Sequence, residues 1–181
     1  MSLIVEEGNG LSDADAYISL AFCTAYNSSI GETGWAVDME SETSVAAAEV
    51  AIRKATKYLD LKYGKNYTGV RYSSSQALQW PRSFAYTSDG YYIGAIIPVC
   101  IKEACAEVAR RILTGTNVFP DLTNSILSKK ESVGPISVEY AEIPLGSVKE
   151  SSMPVFPIVD KLMVGSYGVC GSDGTLRIIR A

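Results

Sequence analysis

The chain contains no histidine, so it lacks the side chain that most often serves as a general base near neutral pH. The same absence removes the commonest ligand of transition metals and every serine–histidine or cysteine–histidine nucleophile pair. Asp13 and Asp15 could together bind a divalent cation, but no further oxygen ligands cluster beside them in the sequence. Solvated or helix-capping carboxylates are the better interpretation of this pair. We therefore expect no enzyme activity, no metal ion and no cofactor.

The cysteines and the C-terminal glycines form no recognisable reactive or phosphate-binding motif. The chain has no C-x-x-C pair, and Cys100 and Cys105 are five residues apart, which points them in different directions on a helix. Gly168, Gly171 and Gly174 lack the lysine–serine ending and the following helix of a phosphate loop. The sequence predicts free thiols and a glycine hinge before the C-terminal residues.

Residues 53–82 have a composition typical of nucleic-acid binding. Aromatic side chains that stack on bases, interleaved with cations that hold phosphates, are how proteins bind single strands without sequence preference. The aromatic residues of this segment are Tyr58, Tyr63, Tyr67, Tyr72 and Trp80, and its cations are Arg53, Lys54, Lys57, Lys62, Lys65, Arg71 and Arg82. The candidate nucleic-acid contacts among them are Lys62, Lys65, Tyr67, Arg71 and Tyr72.

The overall charge favours a different interpretation of the same segment. The protein has a formal net charge of -4 and a sequence pI near 4.9, whereas binding driven by counterion release favours a basic molecule. On this alternative Tyr58 and Trp80 belong to the core, and the cations form a contact between subunits. The residues alone leave both interpretations open.

Charge is also distributed unevenly along the chain. Residues 1–50 contain nine acidic residues and no lysine or arginine, whereas residues 53–82 contain seven basic residues and only one acidic residue, Asp60. If this polarity persists in the fold, an acidic face of one copy meets a basic face of the next and closes a head-to-tail ring. Two unrelated solvated faces are the alternative. The charged residues that we assign to an inter-subunit contact are Asp13, Asp15, Arg53, Lys54 and Lys57.

The strongest predicted element is a helix over residues 98–114. Pro98 suits a first helical turn and Gly115 suits the left-handed residue that closes a helix. Apolar residues recur there at steps of three and four, and the small side chains of Ala104, Cys105 and Ala109 allow a second helix to approach closely. A helix from about residue 45 to residue 63, opened by Ser44, is the expected partner.

The remaining patterns predict short elements. Ser19 caps a short helix, a second begins at Pro120 and ends at Lys129 and Lys130, and a third lies within residues 156–164. Residues 133–140 alternate as a strand. The chain has no apolar run of the ~20 residues needed to span a bilayer, so we expect no membrane association. The predicted fold is mainly α, a small helical bundle with short β-strands or a hairpin and an extended C-terminal tail. We place the helical domain at residues 1–165 and the tail at 166–181.

Several motifs together resemble a known family of tailed-phage and prophage proteins. The motifs include Gln76–Arg82 (Q-A-L-Q-W-P-R) and Val133–Ile136 (V-G-P-I), with A-I-R-K-A-T-K-Y-L-D over residues 51–60. The family is often labelled DnaT-like single-stranded-DNA-binding protein and is similar to head–tail connector adaptors. The resemblance covers most of residues 5–162. The first helix departs from the family pattern at Phe22, where a polar residue would complete a capping box, and this makes Phe22 a further candidate inter-subunit contact.

The resemblance implies a structural head–tail connector of a tailed phage. Such an adaptor forms a ring, of twelve copies by this resemblance, beneath the portal protein, and it extends the channel through which double-stranded DNA passes without specific binding. It would also contact a tail-side connector or tail-terminator protein. We expect it in the neck of the virion and in the host cytoplasm during assembly. A single-stranded-DNA-binding protein of the replication type is the alternative function.

The extended C-terminal residues are the predicted portal contact. A terminal strand without a partner gains main-chain hydrogen bonds when it joins the edge of another sheet. The residues assigned to this contact are Thr175, Leu176, Arg177, Ile178, Ile179 and Arg180.

Overall fold

The computed structural model describes residues 2–87, 90–120, 130–133, 136–139 and 153–166. In this part of the chain four α-helices are present, and they span Leu20–Ser29 (α1), Glu42–Tyr63 (α2), Val99–Leu113 (α3) and Pro157–Ser166 (α4). The strands are short and span Val70–Arg71 (β1), Arg82–Ser83 (β2), Lys130–Val133 (β3) and Ile136–Glu139 (β4). The prediction of a mainly helical fold with short strands is confirmed. The predicted tail and portal contact, residues 166–181, lie outside the described residues apart from Ser166 at the end of α4.

The chain divides into two compact units. The larger runs to Thr116 and resumes at Phe156, so it contains all four helices together with β1 and β2. The smaller runs from Asn117 to Val155 and contains the antiparallel hairpin of β3 and β4, with Lys130 opposite Glu139. The prediction that a helix ends at Lys129 and Lys130 is wrong for Lys130, which begins β3. Instead, β3 and β4 are two short runs that pair with each other, and the sequence between them, Gly134–Pro135, is typical of a turn. The helix predicted from Pro120 falls on residues outside the description.

Helix α1 begins where its capping residue predicts. The Ser19 hydroxyl accepts a hydrogen bond from the backbone N–H of Phe22 at 3.1 Å, and the chain turns into the helix at Leu20. Helix α2 begins earlier than expected, because Ser41 rather than Ser44 caps it. The Ser44 hydroxyl instead accepts a hydrogen bond from the N–H of Asp38 at 3.0 Å and holds the preceding loop.

The core of the larger unit lies between α2 and α3. The small residues predicted to allow close approach, Ala104, Cys105 and Ala109, are fully buried, and the Cys105 thiol lies 3.5 Å from the Thr56 hydroxyl of α2. Helix α4 packs on α3 and buries Val159 and Met163. The predicted helix pair is therefore confirmed. Close packing of small side chains leaves dispersion contacts along both helices and excludes water from the polar groups between them.

The cysteines of the described region are free and buried. Burial raises the pKa of the Cys100 and Cys105 thiols to about 12, so both remain protonated and unreactive at neutral pH. This agrees with the expectation of free thiols for the three cysteines that the structure describes. In the described residues no helix is long and apolar enough to cross a membrane.

Candidate nucleic-acid interface

Three short antiparallel segments form the most exposed aromatic surface that the structure describes. The middle segment, residues 82–87, pairs first with residues 70–72 through the β1–β2 ladder, in which Val70 lies opposite Ser83. Farther along, it pairs with residues 91–93, where Tyr86 lies opposite Tyr92 and the N–H of Ile93 donates to the carbonyl of Ala85 at 3.0 Å. We call residues 70–72, 82–87 and 91–93 the aromatic meander.

Large aromatic side chains of the meander point into solvent. Phe84 is 70% exposed and Tyr91 is 73% exposed, although residues of this size usually bury most of their surface. Tyr86 and Tyr92 are also exposed, with ring centroids 5.6 Å apart. Exposed aromatic rings of this density mark a surface that contacts another molecule. The exposed aromatic residues of the meander are Tyr72, Phe84, Tyr86, Tyr91 and Tyr92.

The backbone of the meander is strained at its most prominent ring. Phe84 has φ of 56° and is the one non-glycine residue with positive φ in the described chain. A bulky side chain in this left-handed region costs about 1–3 kcal/mol, and such residues concentrate at functional sites. Gly69 explains why the kink is held in place, since its backbone lies so close to the middle segment that an added Cβ would be 2.3 Å from the carbonyl oxygen of Ser83. The folded state is therefore destabilised by backbone strain at Phe84, and the same backbone conformation exposes the Phe84 ring.

A buried arginine fixes the start of the meander. The Arg82 guanidinium donates to the carbonyl oxygens of Thr68 at 2.7 Å and Gly69 at 2.8 Å, and to that of Gln79 at 3.3 Å. Burial lowers the pKa of Arg82, but an arginine stays charged at any ordinary pH. Its charge satisfies backbone carbonyls, so this side chain positions the meander rather than facing a ligand.

A loop near the N-terminus supports the meander from one side. Both carboxylate oxygens of buried Glu6 accept backbone N–H groups, from Gly8 to Leu11, at 2.7–2.9 Å. This carboxylate-filled loop is rigid because each of its donors has a charged acceptor. An added Cβ at Gly10 would lie 3.1 Å from the Tyr72 ring, so the loop and the ring are in close contact.

Two of the predicted nucleic-acid contacts instead stabilise the fold. Lys62 forms an ion pair with Asp160 of α4 at 2.9 Å and lies 5.1 Å from the ring centroid of Tyr63, which itself donates a hydrogen bond to Asp160. Tyr67 is buried, with its ring packed edge-on against Trp80 at a centroid distance of 5.8 Å. Lys62 thus connects α2 to α4, and Tyr67 belongs to the core.

The other three predicted contacts lie at the surface. Lys65, Arg71 and Tyr72 are exposed, and the Arg71 guanidinium reaches the Gln76 carbonyl at only 3.5 Å. Arg71 and Tyr72 belong to the meander itself, and Lys65 precedes it by five residues. The structure therefore brings one aromatic residue and one cation of the sequence prediction into the same surface as Phe84.

A buried polar network connects α2 to the segment that leads into the meander. The Asp60 carboxylate accepts hydrogen bonds from the Tyr17 hydroxyl and, at 3.0 Å, from the N–H of Gln79. The N–H of Trp80 in turn donates to the Tyr17 oxygen at 3.2 Å. Burial raises the pKa of the Asp60 carboxyl to about 6, and the hydrogen bonds offset only part of that effect. Asp60 is thus close to half ionised at pH 6.

The predicted inter-subunit charges separate into paired and unpaired groups. Asp15 and Arg53 form an ion pair within the chain at 2.5 Å, and Glu49 lies 3.7 Å from the same guanidinium. Lys54 and Lys57 are exposed on α2, without an ion pair to any residue that the structure describes. Asp13 is also exposed.

Phe22, the remaining predicted inter-subunit residue, is half-buried and lines a cleft of about 310 Å³ beside Lys102.

The described residues contain no group of three or more acidic or cysteine side chains that could hold a metal ion. The predicted portal contact, Thr175–Arg180, lies outside the described residues.

The sequence prediction missed most of the exposed rings. The segment with the interleaved cations ends at residue 82, and four of the exposed rings follow it in the sequence: Phe84, Tyr86, Tyr91 and Tyr92. An available signal was the alternation F-A-Y before Asp89–Gly90 and the tyrosine pair after it, since a D-G pair between two such runs is the usual sequence of a tight hairpin. Residue type identified the chemistry, but the hairpin pattern would have located it.

Fold and surface together define a mainly helical protein with a surface of exposed aromatic residues and one exposed cation, Arg71, on its short strands. The chain belongs to the family described as "Putative DnaT-like ssDNA binding protein", whose model matches residues 1–181. This finding confirms the DnaT-like part of the resemblance, and the family description contains no reference to a head–tail adaptor. No curated protein and no solved structure matches the chain.

Proposed function

We propose that this protein binds single-stranded DNA through the aromatic meander. Phe84 is the observation that carries the proposal, because the fold holds a mostly exposed ring on a strained left-handed backbone. A stacked base gains about 1–3 kcal/mol on such a ring, and stacking does not depend on base identity. The Tyr91 ring offers a second stacking surface, and Lys65 and Arg71 would hold the phosphates between stacked bases.

Local charge supports this proposal despite the acidity of the whole protein. Between residues 61 and 102 the only acidic residue is Asp89, whereas the basic residues are Lys62, Lys65, Arg71, Arg82 and Lys102. A strand lying on the meander would meet the exposed cations of this stretch. The electrostatic contribution is modest, since Lys65 and Arg71 are the exposed residues among these five cations.

Fluorescence anisotropy with a labelled oligothymidine of about 20 nucleotides tests the proposal. With two phosphate contacts the affinity should fall roughly sevenfold between 50 mM and 200 mM salt. A duplex of the same length should bind more weakly, because its bases are already stacked on each other. Failure of the wild-type protein to bind the single strand at 50 mM salt would refute the proposal.

Phe84→Gly is the sharpest variant. Glycine removes the ring and also adopts positive φ without strain, so binding should weaken at least about fivefold while the melting temperature stays equal or rises. Tyr91→Ala should weaken binding by a similar factor. Phe22→Ala removes a half-buried ring outside the meander and serves as the control, which should bind like the wild type. Unchanged binding by both meander variants would exclude this surface.

We also propose a second function, the head–tail adaptor expected from the resemblance. The observation in its favour is the exposure of apolar residues, since Val70 of the meander is exposed, and so are Ile96 and Val99 farther along the chain. Such a surface suits contacts between proteins as well as contacts with bases. In that case the protein would form a ring of copies under a portal and would be found in virions.

Purified particles and a truncated chain test the adaptor function. The protein should be present in particles at a fixed stoichiometry, and deletion of residues 174–181 should abolish binding to the portal while leaving the fold intact. Absence from particles, or unchanged portal binding by the truncated chain, would reject the adaptor.

A further inference from the structure

Helix α2 carries an exposed stripe that is both apolar and basic. Val50, Lys54, Lys57 and Leu61 follow one another at steps of four, three and four residues, so they lie on one face of the helix. All four side chains are exposed, and Leu61 is 53% exposed. The two lysines have no ion pair with the described residues. We call these four residues the α2 stripe.

The loop before the same helix carries the opposite chemistry. Met39 is 59% exposed and is flanked by Asp38 and Glu40, with Glu42 at the first position of α2. The loop has a defined shape, because the Asp38 carboxylate accepts the N–H of Glu40 at 2.9 Å and the Ser44 hydroxyl accepts the N–H of Asp38. Neither Glu40 nor Glu42 has an ion pair with any described residue. We call residues 38–42 the acidic knob.

We propose that the α2 stripe of one copy binds the acidic knob of a second copy of this chain. The Met39 side chain would contact Val50 and Leu61, and the glutamates would pair with Lys54 and Lys57. Both surfaces combine exposed apolar atoms with unpaired charge of opposite sign, which favours this match over a neutral partner for either surface.

Internal pairing of the other charges makes this match more specific. Arg53 pairs with Asp15 and Glu49 within the chain, and Glu32 pairs with Arg110 at 3.2 Å. These internal pairs remove part of the charge polarity of the sequence, whereas the charges of the stripe and the knob have no ion pair with the described residues. The contact is separate from the proposed DNA site, because it uses no residue of the aromatic meander.

The geometry of the contact determines the kind of assembly. The stripe and the knob are different surfaces, so each copy uses one surface to bind the copy before it and the other to bind the copy after it. Such a heterologous contact gives a chain or a closed ring rather than a two-fold dimer.

Sedimentation velocity over a range of protein concentrations tests the contact. The average mass of the wild-type protein should rise with concentration, and Lys54→Glu with Lys57→Glu should weaken association at least about tenfold. Lys102→Glu with Lys161→Glu makes the same change in net charge at residues outside the stripe and the aromatic meander, and this variant should associate like the wild type. A wild-type protein that stays monomeric, or a control that fails equally, would overturn the proposal.

A charge exchange separates a direct contact from a general effect of charge. Glu40→Lys with Glu42→Lys should also prevent self-association, and combining these changes with Lys54→Glu and Lys57→Glu in one chain should restore it. A combined variant that stays monomeric would contradict the proposed pairing. If the stripe variant keeps its association and loses binding to oligothymidine, the stripe contacts nucleic acid and the proposal is wrong.

Discussion

The tyrosines of α2 and the tyrosines of the aromatic meander differ in burial. In α2, Tyr58 and Tyr63 are buried, where Tyr58 packs against Phe156 and Tyr63 donates a hydrogen bond to Asp160. In the meander, about half of the surface of Tyr72 and most of the surface of Tyr91 are exposed. The difference is one of neighbours, because α3 and α4 pack against α2, whereas the meander rings lie largely in solvent. The same residue type therefore stabilises the fold in one region and remains available for a ligand in the other.

Lys62 and Arg71 show a similar contrast. Lys62 pairs with Asp160, while Arg71 has no ion pair with a described residue and makes a long contact with the Gln76 carbonyl. An exposed charge that already has a partner gains little from a new one, whereas an unpaired charge gains the full interaction with a phosphate. Within residues 53–82, Lys62 and Tyr63 thus stabilise the fold through Asp160, whereas Arg71 and Tyr72 lie at the surface.

Removing one aromatic side chain from each region should give the largest contrast. Trp80→Ala deletes a fully buried ring beside Tyr67 and should lower the free energy of unfolding by about 3–5 kcal/mol. Tyr91→Ala deletes an exposed ring and should change it by no more than about 0.5 kcal/mol. Urea denaturation of both variants measures this. Similar losses in the two variants would mean that the meander belongs to the core.

The pH dependence of stability sharpens the comparison on the helical side. The folded pKa of Asp60, about 6, lies above its unfolded value, so its contribution is present below about pH 4 and is lost as pH rises through 6. The loss amounts to roughly 3 kcal/mol at about 1.4 kcal/mol per pH unit.

Asp60→Asn isolates this contribution. Asparagine is uncharged at every pH and keeps an acceptor for the N–H of Gln79, so the variant should gain stability relative to the wild type as pH rises from 4 to 7. Denaturant titrations at several pH values measure the difference between the two proteins. A difference independent of pH would show that Asp60 is not the titrating group.

A backbone change in the meander should have a smaller and local effect. Gly69→Ala places a methyl group 2.3 Å from the Ser83 carbonyl oxygen at a φ of 72°, so β1 must separate from β2. We expect a loss of about 1–2 kcal/mol and faster amide exchange in the meander, with α2 and α3 unchanged. Hydrogen exchange followed by mass spectrometry resolves the two regions. Equal acceleration in the helices would show that the regions unfold together.

Periodicity predicted the positions of the long helices well. It predicted the ends of the helices and the pairing of the strands less well. The helices at α2 and α3 follow from apolar residues at steps of three and four, which report on the burial of one face. The start of α2 was placed three residues late, because Ser41 and Ser44 are both capable caps and only the loop geometry selects Ser41. The hairpin of β3 and β4 was half predicted, since strand pairing depends on a partner run that periodicity does not identify.

Residue type predicted the chemistry of the candidate site, and the tertiary structure showed which residues lie at the surface. The sequence by itself established that the chain lacks histidine chemistry, folds mainly as helices and carries aromatic residues among cations, because composition and local periodicity are properties of the chain alone. Tertiary structure decided which of those rings and charges remain at the surface. Burial of Tyr67, the pairing of Lys62 with Asp160 and the exposure of Phe84 each depend on residues distant in sequence, and no local pattern contains that information.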